Sequence, residues 1–80
     1  MQIDAIKARI ELCFKEGATI HMNVSLNHPK LNLRGVPVKI VSVFSHIFMI
    51  EEIDTKKRFS IQYADILIGR IEVLEFNGMI

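Results

Sequence analysis

The hydrophobic period of this chain changes once, at Gly17, and that change limits the fold more than any single residue does. Before it, Ile3, Ile6, Ile10, Cys13 and Phe14 recur at the spacing that lines one face of a helix, while Lys7, Arg9, Glu11 and Lys15 mostly point away. Asp4 and Lys15 suit the positive and negative ends of the helix dipole, and Gly17 is a natural left-handed stop. The pattern predicts a helix over about residues 4–16.

After Gly17 the period is two. Ile20, Met22, Val24 and Leu26 alternate with Thr19, His21, Asn23 and Ser25, which predicts a half-buried strand. Asn27-His28-Pro29-Lys30 carries turn chemistry, and the loop it opens is expected to reach Gly35. VPVKIVSVF and IFMIEEI then read as two strands, or as one long strand bent at a bulge, because Ser45-His46 separates them only thinly. Asp54-Thr55-Lys56-Lys57 predicts a hairpin turn into RFSIQY, and a corner at Asp65 leads to a last strand, RIEVLEF. With no helix left for a parallel crossover, the sheet must be largely antiparallel.

Five short antiparallel strands over a small core do best by curling, because closure removes exposed edges. The expected fold is therefore mainly β: a small five-stranded antiparallel SH3/Sm-like barrel, about residues 18–76, behind an N-terminal α-helix, all in one domain spanning 1–80. In such barrels a single 3₁₀ turn joins the fourth and fifth strands. YADIL suits it, with Tyr63 and Asp65 as the structural corner, Asp65 bonding back to nearby amides and Ile66 or Leu67 plugging the barrel end.

The order of helix, five strands and strand-turn-strand ending looks like the Sm group of RNA-binding proteins. It resembles more closely the Veg family of small Gram-positive bacterial proteins, through AIKARIELCFKEG, FSHIFMIEE and above all RFSIQYADILIGRIEV. The family's basic run after the first strand is replaced here by SLNHPKLNLRG, where Lys30 and Arg34 are the only cations, and its Tyr-Pro pair by Phe44-Ser45. The resemblance implies a cytoplasmic, non-enzymatic regulatory or protein-interaction module connected with biofilm-related gene expression.

Composition narrows the chemistry. A formal charge of +1 lacks the strong basic field of a dedicated nucleic-acid binder. Cys13 is the only cysteine, so an internal disulfide or a multi-cysteine zinc site is excluded and a reduced, cytosolic setting is expected. Charges interrupt MQIDAIKARIEL, which does not read as a signal peptide, and no apolar run approaches the ~18 residues of a membrane span. His21, His28 and His46 lack metal-ligand spacing and are expected as ordinary surface histidines. Cys13 on an apolar helix face reads as a core residue, and Ser60 has no nucleophile motif. No catalytic residue, metal or cofactor is expected.

Two surfaces are candidates for binding instead, the basic one set against the alternative of a solvated hairpin tip. Lys56, Lys57 and Arg58, with Lys30, Arg34 and Lys39, form basic clusters able to contact nucleic acid or another anion, Phe44 or Phe59 being available to stack on bases. Half of the residues are apolar, a surplus for so short a chain, which calls for a protein partner, most simply a second copy in a dimer. Val41, Val43, Met49, Leu74 and Phe76, opposite the better-defined core positions, are the expected partner surface.

Overall fold

The computed structural model describes residues 3–27 and 30–76. Helix α1 (Ile3–Glu16) precedes strands β1 (Thr19–Asn27), β2 (Lys30–Val43), β3 (Ile47–Glu52) and β4 (Arg58–Gln62). A one-turn helix α2 (Tyr63–Leu67), a short β5 (Ile71–Val73) and a 3₁₀ turn (Leu74–Phe76) complete the described chain. All five strands form one antiparallel sheet in the order β4-β3-β2-β1-β5. Inward residues alternate as the period of two requires: Ile20, Met22 and Val24 of β1 and Phe48 and Ile50 of β3 are buried, and Ile6 and Ile10 of α1 add to the same core. Phe14, expected on the buried face of α1, is instead 42 % exposed, and Ile3 lies at the margin.

The sheet is curled, and β2 does the bending. Fourteen residues at about 3.3 Å each would run roughly 46 Å, whereas the whole molecule spans 27 × 25 × 25 Å. Two register shifts supply the bends. Between Met22↔Val36 and Val24↔Leu33, Arg34 and Gly35 of β2 stand opposite Asn23 alone. Between Ile40↔Ile50 and Ser42↔Met49, Val41 is the extra residue. Each places two residues against one, the geometry of a β-bulge, which bends the bulged strand and strengthens its twist. Gly35 takes the left-handed φ of 59° that such a bulge favours. The expected loop reaching Gly35 is therefore corrected: the chain is in β2 from Lys30 onward, and the long bent strand is β2 itself, separated from β3 by a tight turn at residues 44–46. Pro37 is tolerated because its nitrogen lies on the β3 side, beyond the last β3 pairing at Glu52, while its carbonyl accepts from Ile53 N–H at 3.1 Å.

The corner at Asp65 is a turn of α-helix, not the expected 3₁₀ turn. Ile68 N–H donates to the Ala64 carbonyl, Gly69 N–H to Ile66 and Arg70 N–H to Asp65, at 3.0, 3.2 and 2.9 Å. The last two bonds are the Schellman closure, which puts Gly69 at φ 85°. Tyr63 anchors the start of the corner: its ring is buried and stacks on Phe48 at 5.3 Å, and its hydroxyl donates to the Phe44 carbonyl at 2.8 Å. Asp65 caps no amide with its side chain but sits 3.9 Å from Arg70. Ile66 packs on the core, while Leu67 is 44 % exposed.

The last expected strand is shorter than RIEVLEF. Strict alternation through Ile71 and Val73 would bury Glu75, so the chain leaves the sheet after Val73 and the 3₁₀ turn swings Phe76 inward. Glu75 then grips β1 from outside, accepting from His21 N–H at 2.8 Å and lying 2.6 Å from His21 Nδ1. The Arg9 guanidinium covers the Phe76 ring at 5.4 Å.

Replacing Gly69 by Ala forces a side chain into the left-handed region and should lower stability by about 1 kcal/mol in urea unfolding. Burial pushes the Glu75 carboxyl upward, but the hydrogen bonds from the His21 side chain and amide outweigh it and hold the group below its ordinary value. The Glu51 carboxyl is likewise held low, chiefly by its hydrogen bond from Arg58. A carboxylate lowered by folding stabilises above its unfolded pKa, about 4.3 for Glu, and that contribution is lost as pH falls through the folded value. Stability should therefore fall as pH drops below about 5, with a shallower fall in Glu75→Gln.

Candidate functional site

The phase of the β3–β4 ladder decides which backbone groups β4 offers. Glu52 N–H donates to the Lys57 carbonyl at 2.8 Å and Tyr63 N–H to the His46 carbonyl at 3.3 Å. Both bonds lie on the register that pairs Ile50 with Phe59 and Phe48 with Ile61. Hydrogen-bonded pairs alternate along an antiparallel ladder. Phe59 and Ile61 therefore bond to β3, whereas the N–H groups of Arg58, Ser60 and Gln62 point away from it. The side chains of those three residues are exposed, and Ile61 is buried. Among the described residues β4 pairs with no strand but β3, so this outer edge is open.

The edge faces a cavity. Leu26 and Asn27 of β1, Leu31 of β2, Phe59, Ser60 and Gln62 of β4, and Asp65 and Arg70 at the corner line an open cleft of about 330 Å³. Two strands separate β1 from β4 in the sheet order, so a shared cavity is the direct sign of curling. It marks a seam where the ladder stays open, between the edge of β4 and the ends of β1 and β2, with Arg70, just before β5, at its rim. Ser25 N–H donates to the Arg70 carbonyl at 2.8 Å on the β5 side of β1. By alternation, Asn27 turns its backbone the same way, past the end of β5 and toward the seam.

The basic residues do not gather into one surface. Glu51 pairs with Arg58 at 2.9 Å and with Lys39 at 3.9 Å. Lys39, Lys56, Lys57 and Arg58 thus share their hairpin region with Glu51, Glu52 and Asp54, and most of the local field cancels. Lys56 adopts φ 63° in the turn, whose geometry Thr55 supports by donating to Glu52 and accepting from Lys57 N–H. Lys30 and Arg34 are exposed near the start of β2. Phe44, 51 % exposed, lies at the other end of β3 from Lys56, roughly 20 Å along the six-residue strand. Phe59 is half-buried at the seam.

The expected partner surface is also redistributed. Phe76 is 6 % exposed and belongs to the core, because the 3₁₀ turn rotates it inward, and Val43 packs against that core. Val41, Met49 and Leu74 are half-buried, the first two at neighbouring register positions across β2 and β3. Leu12, Phe14, Leu67 and Ile68 are the large apolar residues of the two helices and their ends that stand more exposed.

Of the remaining candidates, His21 is engaged by Glu75, His46 is exposed in the β2–β3 turn, and His28 lies outside the described residues. Among the described residues no three His, Cys, Asp or Glu side chains come together as a metal site. Cys13 is half-buried against the core, and its thiol is pushed above the ordinary value, first by burial and then by Glu16. Tyr63 is raised as well, by burial and by Glu11, against the opposing effect of its bond to Phe44. Both shifts hold these groups protonated at neutral pH, away from nucleophile or base chemistry. No helix among the described residues is long and apolar enough to cross a membrane.

No family model matches the chain, and neither does any curated protein or solved structure.

The seam residues Leu26, Leu31, Gln62 and Arg70 escape a reading by side-chain chemistry, because what distinguishes the site is backbone. Its signal in the sequence is topological: a strand order that leaves RFSIQ at an edge. Cys13, with its raised thiol pKa, should alkylate with iodoacetamide at neutral pH several-fold more slowly in the folded protein than in urea. Equal rates would place the thiol in solvent.

Proposed function

We propose that this chain is a non-enzymatic protein-interaction module whose partner engages the outer edge of β4. The observation that carries this reading is the row of unpaired N–H groups at Arg58, Ser60 and Gln62, the last two residues lining a cleft of mixed character in which Leu26, Leu31 and Phe59 are the apolar members. Unpaired strand edges are templates for pairing, and natural edges are blunted by Lys, Pro or bulges. Here Arg58 is the one charged residue of β4, its guanidinium is tied to Glu51, and neither proline nor bulge interrupts Phe59–Gln62. The Veg-like segments support a regulatory setting for such a module, in the cytoplasm and connected with biofilm-related gene expression. A second copy, the partner expected from the apolar surplus, would meet Val41 and Met49 on the outer side of the sheet.

The nucleic-acid reading draws less support. Glu51 neutralises two of the expected cations, and the exposed aromatic Phe44 is remote from Lys56 and Lys57. Stacking and phosphate contact need both kinds of residue along one groove.

A photo-crosslinking amino acid at Gln62 should yield discrete protein adducts in living cells, and one at Lys57 should yield few. Labelled single-stranded RNA and duplex DNA should show no anisotropy change at physiological salt. RNA binding that survives this salt and disappears in the Lys56→Glu/Lys57→Glu double variant would overturn the reading.

A further inference from the structure

Strand direction says what kind of partner the seam accepts. Each neighbouring pair in the sheet is antiparallel, so β4 runs opposite to β1, and β5, paired with β1, also runs opposite to it. The two free edges are thus parallel to each other, and the chain's own antiparallel ladder cannot close between them. A strand running the other way would be antiparallel to both.

The dimensions suit a single strand. One residue of a packed strand occupies about 3.3 Å along the chain, 4.8 Å across it and 10 Å through the layer, or roughly 160 Å³. The cleft of about 330 Å³, open on one side, has room for no more than about two such residues, so it seats one inward side chain while the rest of an added strand lies along the edge of β4. A second copy offering its own β4 would bring β3 with it, one strand spacing further in, where Leu26, Asn27 and Leu31 already stand.

Resting on the protein-interaction reading above, we propose that the seam takes an extended segment of another protein as a sixth strand, antiparallel to β4. Its backbone carbonyls accept from the N–H groups of Arg58, Ser60 and Gln62, and its amides donate to the outward carbonyls of Arg58 and Ser60. One aliphatic side chain points inward among Leu26, Leu31 and Phe59. The residues on either side of it point outward beside Arg58 and Ser60 and are neutral and polar, because Arg58 is already matched by Glu51. The partner is recognised by an alternating aliphatic and neutral polar pattern in an otherwise unstructured stretch.

The test uses the full chain, isotopically labelled, with a short capped peptide of alternating threonine and valine. Amide exchange at Arg58, Ser60 and Gln62 should slow by about tenfold or more at saturating peptide, with smaller effects along α1. The same peptide N-methylated on the amides that face β4 should give no protection, and this comparison leaves the protein unaltered. Ser60→Pro removes an outward donor without touching the β3 ladder and should also abolish binding. Loss of protection in the N-methylated peptide and in Ser60→Pro supports the proposal. Peptide binding that protects other residues, or no protection at millimolar peptide, overturns strand addition. Protection that rises with protein concentration alone gives the seam to a second copy and overturns it too. Cellular crosslinks from Gln62 together with an inert peptide would sink strand addition while leaving the interaction reading standing.

Discussion

The bending of β2 is the constraint on which the rest of the structure depends. A strand longer than the molecule is wide has to turn, and it turns at the Arg34–Gly35 and Val41 bulges. Those bends bring the β1–β2 tip around to face β4, leave a cavity between strands that are not neighbours, and let a short corner carry the chain from one edge of the sheet to the other. Burial follows the same curvature. With Ile6 and Ile10 at 0 % exposure and no buried charged group among the described residues, the core is filled by one apolar face closing on itself and on α1.

The corner shows how a small fold supports a tight connection. Phe48 and Tyr63 stack in the core while the Tyr63 hydroxyl satisfies the Phe44 carbonyl, so one side chain fixes both the entry to α2 and the β2–β3 turn. Gly69 then releases the chain toward β5. The C-terminal turn is held from outside by two contacts, Arg9 over Phe76 and His21 with Glu75, the second of which acid weakens by protonating the Glu75 carboxylate.

Much of this was legible in the residues. The change of period at Gly17 marks the end of α1, and the alternation from Thr19 to Leu26 is β1 within a residue. What misled was punctuation. Gly35 reads as the end of a loop, yet it is a bulge inside β2, and Pro37, read within a strand, sits where its missing donor faces past the end of β3. Leu31 and Leu33, alternating with Asn32 and Arg34, carried the strand signal through. At the other end, alternation predicts that RIEVLEF continues as strand, but a carboxylate at the next inward position ends it. The seam was not legible from side chains, because its chemistry belongs to amides, and which amides are free depends on the ladder's phase. The tie between Glu51 and two expected phosphate-binding cations likewise depends on strand pairing.

Asn23 gives the fold a property beyond rigidity. Its side chain accepts from the Gly35 amide and donates to Glu72, both at 2.8 Å, so one amide group spans β2, β1 and β5 at the bulge. A strand with period two can slip by one residue only by turning every side chain to the opposite face. In a β2 that already carries two extra residues, a migrating bulge is the cheaper error, since it shifts register on one side and leaves the rest in place. Asn23 sets where that bulge can stand, and so acts as a spelling mark: it decides which of several nearly equivalent alignments the ribbon keeps, and with it where the opening between the free edges falls.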